Sequence, residues 1–552
     1  MTDDTLLSIE NLSVALPRGA DRSFAVEDVS LTVRRREIVC LVGESGSGKS
    51  MTAHAALRLL PQGVGISSGA IRFKGADIAT AGEAELRNLR GGEISMIFQE
   101  PLSALNPLAR VGDQIAEAII THTRPPPTRD VVDARVVELI AGVGLPDPAT
   151  LKRSFPFQLS GGQRQRIMIA MAMANNPALL LADEPTTALD VTTQKQILAL
   201  IRSLQSERGM GVLLITHDFG VVADIADRVV VMRNGRVVEQ GVVDDVLRAP
   251  KDAYTKALIA AIPGTQPLAK LNRRLGDEPL LKAEELSKTF VTRQGLFRPA
   301  RRVPAVQKLS LTLRARETIA VVGESGSGKS TLGRIIMRLI ECDAGSVDFG
   351  GTDLLKLRGP QLRAMRRKVQ IVFQDPFAAL DPRQKVGDAV ARGPMAYGTP
   401  AQQAFADASR LLVRVGLQAN AADRYPHEFS GGQRQRICIA RALALKPLVL
   451  VADEAVSALD VSVQAHILAL LAELREEMNL AMIFITHDLR VAAEIADRII
   501  VMRRGEIVEQ GETQSVFLRP QHPYTRELLE AIPGRRLFAG PGSLKPISLM
   551  TV

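Results

Sequence analysis

The eight residues "GESGSGKS" at Gly43–Ser50 return letter for letter at Gly323–Ser330. Both copies fit the pattern G-x-x-x-x-G-K-[ST], in which glycines let successive backbone N–H groups face a chain of phosphates. Each copy follows a short apolar run, "REIVCLVG" or "ETIAVVG", that predicts a buried β-strand. A chance glycine loop could explain one match, but two matches after two predicted strands favour a phosphate-binding loop in each half of the chain.

Other motifs repeat with a constant offset of 270 residues. They are "SGGQRQR" from Ser160 and Ser430, the Asp-Glu pairs at Asp183 and Asp453, and "ITHD" around His217 and His487. The glycine loops are 280 residues apart, so the copies differ by about ten residues between the first motif and the later ones. We therefore predict one unit at 1–262, a polar, proline-bearing linker at 263–279, a second unit at 280–535 and a tail at 536–552.

Composition excludes several classes of protein. The chain has 552 residues, 46% hydrophobic and 23% charged, as in ordinary globular proteins. Its formal charge of +9 comes from scattered basic residues, without tryptophan and with only four tyrosines, so a solvated surface is favoured over nucleic-acid binding. Cys40, Cys342 and Cys438 are too far apart to indicate a disulfide framework or a zinc site. No secretory signal or membrane-spanning segment is expected.

Apolar runs and helix-forming runs alternate within each unit, which predicts an α/β fold. Further buried strands are predicted at "ALLLADE" and "LVLVADE", and at "GVLLITHD" and "AMIFITHD". Helices are predicted to begin at the Gly-Gly pairs before "RIMIAMAMA" and "RICIARALAL". The Asn-Gly in "VVVMRNGRVVEQG" separates two alternating runs and predicts a hairpin.

The residues around each loop have the chemistry that a nucleoside phosphate needs. Lys49 and Lys329 supply positive charge toward the β- and γ-phosphates, and the hydroxyls of Ser50 and Ser330 can bind Mg²⁺. The helix that follows each loop adds its positive end.

A carboxylate pair closes a predicted strand in each unit. Asp183 and Asp453 would bind Mg²⁺, directly or through water, and Glu184 and Glu454 would orient and activate an attacking water. Adjacent acidic residues can also mark an exposed turn. The preceding buried strand disfavours that alternative in both copies.

With "SGGQ" at Ser160–Gln163 and Ser430–Gln433, these motifs resemble the ATP-binding-cassette (ABC) ATPases over nearly the whole chain. The resemblance implies tandem P-loop nucleotide-binding domains, each a RecA-like α/β core with an antiparallel β subdomain and an α-helical subdomain that carries the signature. In that family two cassettes pair head to tail around two ATP molecules. Lys49 would then share one nucleotide with Ser430–Gly432, and Lys329 would share the other with Ser160–Gly162.

The resemblance implies further site residues. Gln99 and Gln374 would touch Mg²⁺ and report to the transport partner, and His217 and His487 would contact the γ-phosphate. An aromatic side chain often stacks on adenine, a position held here by Phe290 in the second unit and by Leu16 in the first, where Phe24 is a substitute.

The catalytic set is Glu184, Glu454, His217 and His487. The Mg²⁺ set is Ser50, Gln99, Asp183, Ser330, Gln374 and Asp453. The ATP-binding set is Gly43, Ser45, Gly46, Gly48, Lys49, Ser50, Met51, Gln99, Ser160, Gly161, Gly162, Gln163, Gly323, Ser325, Gly326, Gly328, Lys329, Ser330, Thr331, Gln374, Ser430, Gly431, Gly432, Gln433 and Phe290.

Three stretches resemble the oligopeptide, dipeptide and nickel importer branch of the family. They are "QEPLSALNP" (Gln99–Pro107), "QDPFAALDPR" (Gln374–Arg383) and "PQHPYTRELLEAIPG" (Pro520–Gly534). The first unit keeps the last stretch in part, as "PKDAYTKALIAAIPG", which also fits a plain amphipathic helix. The arrangement is most similar to the Yej-type importers of peptides and microcin C, with glutathione importers next.

The resemblance implies partners and a location. Two transmembrane permeases and a periplasmic binding protein would choose the cargo, with the chain at the cytoplasmic face of a bacterial inner membrane. The segments Glu100–Leu159 and Asp375–Phe429 would receive the permeases. The alternatives are a glutathione or nickel importer of the same branch, or a soluble ABC factor in translation or DNA repair. Soluble factors usually carry a long charged linker or cysteine clusters, so we favour transport.

Overall fold

The computed structural model describes residues 4–187, 189–263, 278–292, 301–457 and 459–535. Most of the predicted linker at 263–279 and the whole predicted tail at 536–552 lie outside these residues. The described residues group into two compact units. One contains those up to 189 together with 193–262 and 533–535, and the other contains 190–192 together with those from 263 to 532.

The first half of the chain forms ten strands and eleven α-helices in the described residues. The strands are β1 (Thr5–Ala15), β2 (Phe24–Arg34), β3 (Ile38–Val42), β4 (Gly65–Phe73), β5 (Ala76–Asp77), β6 (Ile94–Ile97), β7 (Leu179–Asp183), β8 (Gly211–Thr216), β9 (Arg228–Arg233) and β10 (Arg236–Val242). The helices are α1 (Lys49–Ala56), α2 (Glu83–Leu89), α3 (Pro101–Ala104), α4 (Val111–His122), α5 (Arg129–Gly142), α6 (Pro148–Leu151), α7 (Gly161–Ala172), α8 (Val191–Arg208), α9 (Phe219–Ile225), α10 (Val243–Arg248) and α11 (Ala253–Ala260). A 3₁₀ turn lies at Pro156–Gln158.

Two sheets build the first unit. The larger has the strand order β10-β9-β3-β8-β7-β6, with β10 antiparallel to β9 and the other neighbours parallel. The smaller is antiparallel, in the order β2-β1-β4-β5. Every strand predicted from an apolar run is confirmed, and so is the hairpin, in which Asn234 and Gly235 both have positive φ, at 50° and 87°. Two positive φ angles fit a type I′ turn.

The larger sheet is buried on both faces, which explains why its strands read as unbroken apolar runs. Side chains alternate between the faces, since the strand period is two residues. Cys40, Val42, Leu180 and Leu214 face the helices that follow β6 and β7. Val39, Leu41, Leu181 and Leu213 face α1 and the antiparallel sheet.

The second half repeats this architecture in the described residues. Its strands are β11 (Pro279–Thr292), β12 (Arg301–Arg314), β13 (Thr318–Val322), β14 (Ala344–Phe349), β15 (Thr352–Asp353), β16 (Val369–Val372), β17 (Val449–Asp453), β18 (Ala481–Ile485), β19 (Arg498–Arg503) and β20 (Glu506–Glu512). Its helices are α12 (Lys329–Ile336), α13 (Gly359–Lys368), α14 (Pro376–Ala379), α15 (Val386–Ala396), α16 (Ala401–Arg414), α17 (Gly431–Leu443), α18 (Val461–Met478), α19 (Leu489–Ile495), α20 (Thr513–Leu518) and α21 (Pro523–Glu530). Shorter 3₁₀ turns lie at Leu354–Lys356, Ala419–Asp423 and Pro426–Glu428.

The strand orders of the second unit are β16-β17-β18-β13-β19-β20 and β12-β11-β14-β15, the same topology as in the first. The α/β core, the antiparallel sheet and the helical segment that carries "SGGQ" are therefore present twice, as the predicted fold class requires. Cys40, Cys342 and Cys438 are free thiols. Among the residues that the structure covers, no helix combines the length and apolar character needed to cross a membrane.

Candidate functional site

The predicted site residues of the first unit follow four neighbouring parallel strands. The glycine loop follows β3, Asp183 ends β7, His217 follows β8, and Gln99 follows β6. Carboxyl ends of parallel strands meet at one edge of a sheet, the usual place for ligand binding in α/β folds. The second unit places Lys329, Asp453, His487 and Gln374 in the same way.

Both glycine loops press against neighbouring backbone. Gly43 has φ 149°, and a Cβ there would lie 2.2 Å from the carbonyl oxygen of Met232 in β9. Gly48 has φ 102°, and its Cβ would lie 2.5 Å from the carbonyl oxygen of Ala25. Gly323 and Gly328 repeat this geometry, with φ of 148° and 105°. Only glycine fits these positions, because other residues would clash and be strained.

Each loop wraps around a buried lysine. Lys49 is 5% exposed, and its Nζ donates to the carbonyl oxygens of Gly43 and Glu44 at 2.7 and 2.8 Å. Lys329 is 4% exposed, with the same two bonds to Gly323 and Glu324 at 2.7 and 2.8 Å. Burial lowers the pKa of Lys329, although the carboxylates of its own unit oppose this. Both loops thus hold an ammonium group beside the backbone that would receive phosphates.

A hydroxyl and a carboxylate meet next to each lysine. Ser50 Oγ donates to Asp183 Oδ1 at 3.0 Å, and Ser330 Oγ donates to Asp453 Oδ1 at 2.8 Å. Burial raises the pKa of both aspartates, while the serine hydrogen bonds oppose it. Oxygen donors of this kind suit Mg²⁺, which keeps several waters and takes one or two carboxylates from the protein. These residues therefore fit the predicted metal set.

The carboxylate of Glu184 contacts several polar side chains of the first site. Its carboxylate accepts hydrogen bonds from Gln99 Nε2 at 3.0 Å and from Thr187 Oγ1 at 2.8 Å, and His217 Nδ1 lies 3.2 Å from Oε1. Burial alone would raise its pKa, but the hydrogen bond and charge of His217, with help from Thr187 and Lys49, lower the pKa of Glu184 to about 2. The carboxylate is therefore ionised at neutral pH.

Glu454 has matching neighbours in the second site. Gln374 Nε2 donates to its Oε2 at 2.7 Å, and His487 Nδ1 lies 3.5 Å from Oε2. Burial would raise the pKa of Glu454, but the hydrogen bond and charge of His487 lower it. The hydroxyl of Ser457 donates to the backbone carbonyl of Glu454 at 3.1 Å, whereas Thr187 donates to the carboxylate itself.

Both glutamates adopt a left-handed backbone, with φ of 46° at Glu184 and 48° at Glu454. This conformation is uncommon outside glycine and asparagine, and such strain concentrates at functional sites. The sequence motif does not predict this left-handed backbone. At this left-handed position the Glu184 carboxylate lies within hydrogen-bond distance of Gln99 and His217.

The "SGGQ" signatures begin helices α7 and α17. Ser160 Oγ accepts from the N–H of Gln163 at 3.2 Å, and Gln163 Oε1 accepts from the N–H of Ser160 at 3.0 Å. Ser430 and Gln433 form the same reciprocal cap at 3.3 and 3.0 Å. Capping leaves other N–H groups of the first turn oriented outward, which favours an anion. These hydrogen bonds are local and do not join the signature to the loop of its own unit.

The predicted adenine contacts differ between the units. Phe290 in β11 is 43% exposed, and Lys288 Nζ lies 5.9 Å from its ring centroid. Leu16 is only partly exposed and packs against the core of the first unit. Phe24 at the start of β2 is half-buried. Phe290 is therefore the more available surface for an aromatic base.

The polar contacts at the first site that the sequence did not predict include those of Thr187 and Arg22. Thr187 binds the Glu184 carboxylate, as described above, and Arg22 Nη2 donates to the carbonyl oxygen of Gly46 at 2.5 Å. Thr187 lies three residues after Glu184, within one turn, which was an available signal. Arg22 comes from a polar loop whose sequence carries no recognisable pattern.

Comparison with known families gives two matches in each half of the chain. The family described as "ABC transporter" matches residues 26–187 and 306–457. The family described as "Oligopeptide/dipeptide transporter, C-terminal region" matches residues 238–295 and 508–537. The second family covers the "AYT" and "HPYT" stretches.

Similar proteins include the glutathione import ATP-binding protein GsiA of Escherichia coli O157:H7 and of Escherichia coli strain K12. Each is 46% identical over an alignment of 559 positions that covers 96% of this chain and 89% of the relative. Among solved structures, the dimeric bacterial ABC transporter cassette MJ0796 matches at 29% identity and a TM-score of 0.40, covering 43% of this chain and 99% of its own. The cassette cbiO1 of Clostridium perfringens matches at 28% identity and a TM-score of 0.39, covering 45% and 92%.

The loop geometry predicts that two neighbouring glycines respond differently to alanine. Gly43 and Gly46 both have positive φ, so both substitutions introduce backbone strain. At Gly43 the new Cβ meets a carbonyl oxygen at 2.2 Å, whereas at Gly46 it meets nothing within 4 Å. We expect Gly43→Ala to lower the free energy of unfolding by about 1–3 kcal/mol more than Gly46→Ala.

Calorimetric unfolding of the full chain without nucleotide measures this difference, with Gly46→Ala as the matched control. Equal losses in the two variants would show that the contact with Met232 does not constrain the loop.

Proposed function

We propose that this chain, which belongs to the ATP-binding proteins of ABC transporters, hydrolyses ATP to drive the import of small peptides through separate membrane permeases. At a more general level, the chain is an importer ATPase of the oligopeptide, dipeptide and glutathione branch. The observation that carries the proposal is the match of both units to a transporter C-terminal region, alongside two complete site constellations. This match also argues against a soluble factor in translation or DNA repair.

The cargo proposal has two versions. The branch motifs support oligopeptides, dipeptides or microcin C-like peptides, as the sequence reasoning expected. The relatives at 46% identity are named for glutathione import, which supports glutathione, itself a small peptide, as the second candidate. Both versions place the choice of cargo in a periplasmic binding protein and two permeases.

Phosphate recognition is proposed for the two loops. Lys49 and Lys329 would exchange backbone carbonyl partners for the β- and γ-phosphates, and the N–H groups of the loops would donate to phosphate oxygens. Ser50 with Asp183, and Ser330 with Asp453, would hold Mg²⁺, which neutralises charge that develops on the phosphates.

Glu184 and Glu454 are proposed to act on the attacking water. A carboxylate with a pKa of about 2 is a weak base, so Glu184 would chiefly orient the water by accepting a hydrogen bond from it. That role suffices for a loose phosphoryl-transfer transition state, in which positioning and electrostatics provide most of the catalysis. Gln99 and His217 already contact the carboxylate and would hold it in place.

The helical segments are proposed as the permease contacts. Leu102, Leu108 and Phe157 of the first segment are 54%, 87% and 65% exposed, and Phe377 of the second is 61% exposed. Contiguous apolar patches mark interaction surfaces, and these exposed side chains are proposed to contribute to one in each segment. With permeases bound there, the chain would lie at the cytoplasmic face of the inner membrane.

Deletion of the gene tests the cargo proposal. Loss of ATP-driven import should abolish uptake of radiolabelled di- and oligopeptides by the deletion strain, and the wild-type gene should restore it. Loss of glutathione uptake alone would favour the second candidate. Unchanged uptake of both would contradict the importer function.

Substituting the glutamates tests the chemistry. Glu184→Gln and Glu454→Gln should keep ATP binding and slow hydrolysis, because the glycine loops and the proposed Mg²⁺ ligands stay unchanged while the carboxylate that would orient the water loses its charge. A positioned transition-state group often contributes about 10²–10³ in rate, and coupling of the two sites can change the individual values. ATP titration and steady-state hydrolysis by the full chain measure the two effects. Hydrolysis at the wild-type rate in either variant would refute the role of that glutamate.

The exposure of Phe290 predicts unequal affinities. Lys49→Ala leaves the second loop intact and Lys329→Ala leaves the first, so the two variants report the sites separately. We expect the site with Phe290 to bind ATP more tightly, and Phe290→Leu to weaken it by roughly tenfold, since base stacking contributes about 1–3 kcal/mol.

Leu16→Phe is the reciprocal variant, and it should strengthen the first site less, because Leu16 packs partly in the core. Titrations with a fluorescent ATP analogue measure the dissociation constants of the four variants, Lys49→Ala, Lys329→Ala, Phe290→Leu and Leu16→Phe. Equal affinities in Lys49→Ala and Lys329→Ala would contradict the predicted order.

A further inference from the structure

A tyrosine from the C-terminal helix of each unit reaches the glycine loop. The backbone N–H of Glu44 donates to Tyr254 Oη at 3.2 Å, and the backbone N–H of Glu324 donates to Tyr524 Oη at 3.1 Å. The tyrosines are 270 residues apart and the glutamates 280, so the contact persists despite the change in spacing. Neither tyrosine is among the site residues predicted from the sequence.

The contact falls on the peptide group that the lysine also holds. The carbonyl oxygen of Gly43 and the N–H of Glu44 belong to one planar peptide group. Lys49 Nζ donates to that carbonyl at 2.7 Å, while Tyr254 accepts from the N–H on the opposite side. Lys329 and Tyr524 hold the peptide group between Gly323 and Glu324 in the same way. The first peptide of each loop is therefore fixed from both sides.

Each tyrosine is itself held firmly. Tyr254 is 9% exposed and Tyr524 is 1% exposed. The guanidinium carbon of Arg233 lies 4.7 Å from the Tyr254 ring centroid, and that of Arg503 lies 4.5 Å from the Tyr524 ring centroid. Burial and the Glu44 carboxylate raise the pKa of Tyr254 to about 12, so the phenol stays neutral. The hydroxyl is thus a fixed, uncharged acceptor.

The start of each helix is anchored to the hairpin strand β10 or β20. Glu239 accepts from the backbone N–H groups of Lys251 and Asp252 at 2.8 and 3.2 Å. Glu509 accepts from those of Gln521 and His522 at 2.8 and 3.0 Å. The helix, the hairpin and the loop form one connected path within each unit.

We propose that Tyr254 and Tyr524 are positioning residues for nucleotide binding. The hydroxyl holds the first peptide group of the loop, and with it the carbonyl that places the lysine, in the orientation that receives phosphates. A loop ordered before binding loses less entropy when ATP arrives, so the tyrosines raise affinity without touching the nucleotide. This inference rests on the proposed ATPase function. It gives the transporter C-terminal region a role in the ATP site.

Tyr254→Phe and Tyr524→Phe test the proposal, because each removes only the hydroxyl and keeps the ring under its arginine. Tyr397→Phe is the matched control, since it deletes a hydroxyl that bonds to the carbonyl of Arg363, away from either loop. The full chain is titrated with a fluorescent ATP analogue, its hydrolysis is followed against ATP concentration, and its thermal unfolding is recorded without nucleotide.

We expect each loop variant to raise the dissociation constant of one site, and the KM for ATP, by about 3–10-fold, the value of one hydrogen bond. The kcat at saturating ATP should stay within about twofold of wild type, and Tyr397→Phe should behave as wild type. Unchanged KM and affinity in the loop variants would overturn the proposal. A fall in the unfolding temperature alone, with KM and affinity unchanged, would also overturn it, because that result indicates a purely structural role. If wild type itself neither bound nor hydrolysed ATP, the proposed function would fail first, so the two failures are distinct.

Discussion

A buried ammonium group lies beneath the glycine loop of each unit, and its need for hydrogen-bond partners constrains the conformation of that loop. Charge removed from water is costly unless it is hydrogen bonded. Lys49 finds its partners in the carbonyl oxygens of Gly43 and Glu44, at the beginning of the same loop. The chain must therefore curl back over its own helix, which requires positive φ at Gly43 and Gly48 and leaves no room for a Cβ beside Met232. Loop, helix and strand β9 satisfy this requirement together. A phosphate chain would offer the same lysine a stronger, anionic partner.

Two adjacent carboxylates at the end of one strand have opposite electrostatic behaviour. Burial dominates at Asp183 and raises its pKa, whereas His217 and Thr187 outweigh burial at Glu184 and lower it. Glu184, whose backbone is left-handed, lies beside these donors, whereas Asp183 lies beside Ser50. Neighbouring acids with separated pKa values commonly divide the chemical work. In the proposed mechanism the division would be between metal binding at Asp183 and water orientation at Glu184.

The fold and the placement of the candidate site residues at the ends of strands were predictable because they depend on local patterns. Apolar runs such as "ALLLADE" have the length and composition of buried parallel strands, and each ends at the residue that the site needs. The contacts of Gln99 and His217 with Glu184 depend on the neighbouring positions of β6, β7 and β8 in the sheet, which the motifs alone do not determine. Arg22 was not predictable, since its bond to Gly46 depends on the path of an irregular loop. Tyr254 was also missed, because a residue 210 positions from Glu44 leaves no local signal for their contact.

The change from "HPYT" to "DAYT" between the units shows which part of this motif is constrained. His522 Nδ1 accepts from the N–H of Tyr524 at 3.1 Å, and in the first unit Asp252 Oδ1 accepts from the N–H of Tyr254 at 2.8 Å. Aspartate is a good N-cap, so the replacement keeps the beginning of the helix in place. The proline at the first helical position is dispensable for the same reason, since Ala253 continues the helix from a capped start. Both units retain the tyrosine and the threonine that follows it, and each tyrosine hydroxyl lies within hydrogen-bond distance of its loop. The proposed role in the ATP site depends on the tyrosine, which either N-cap, His522 or Asp252, places against one peptide group of the loop.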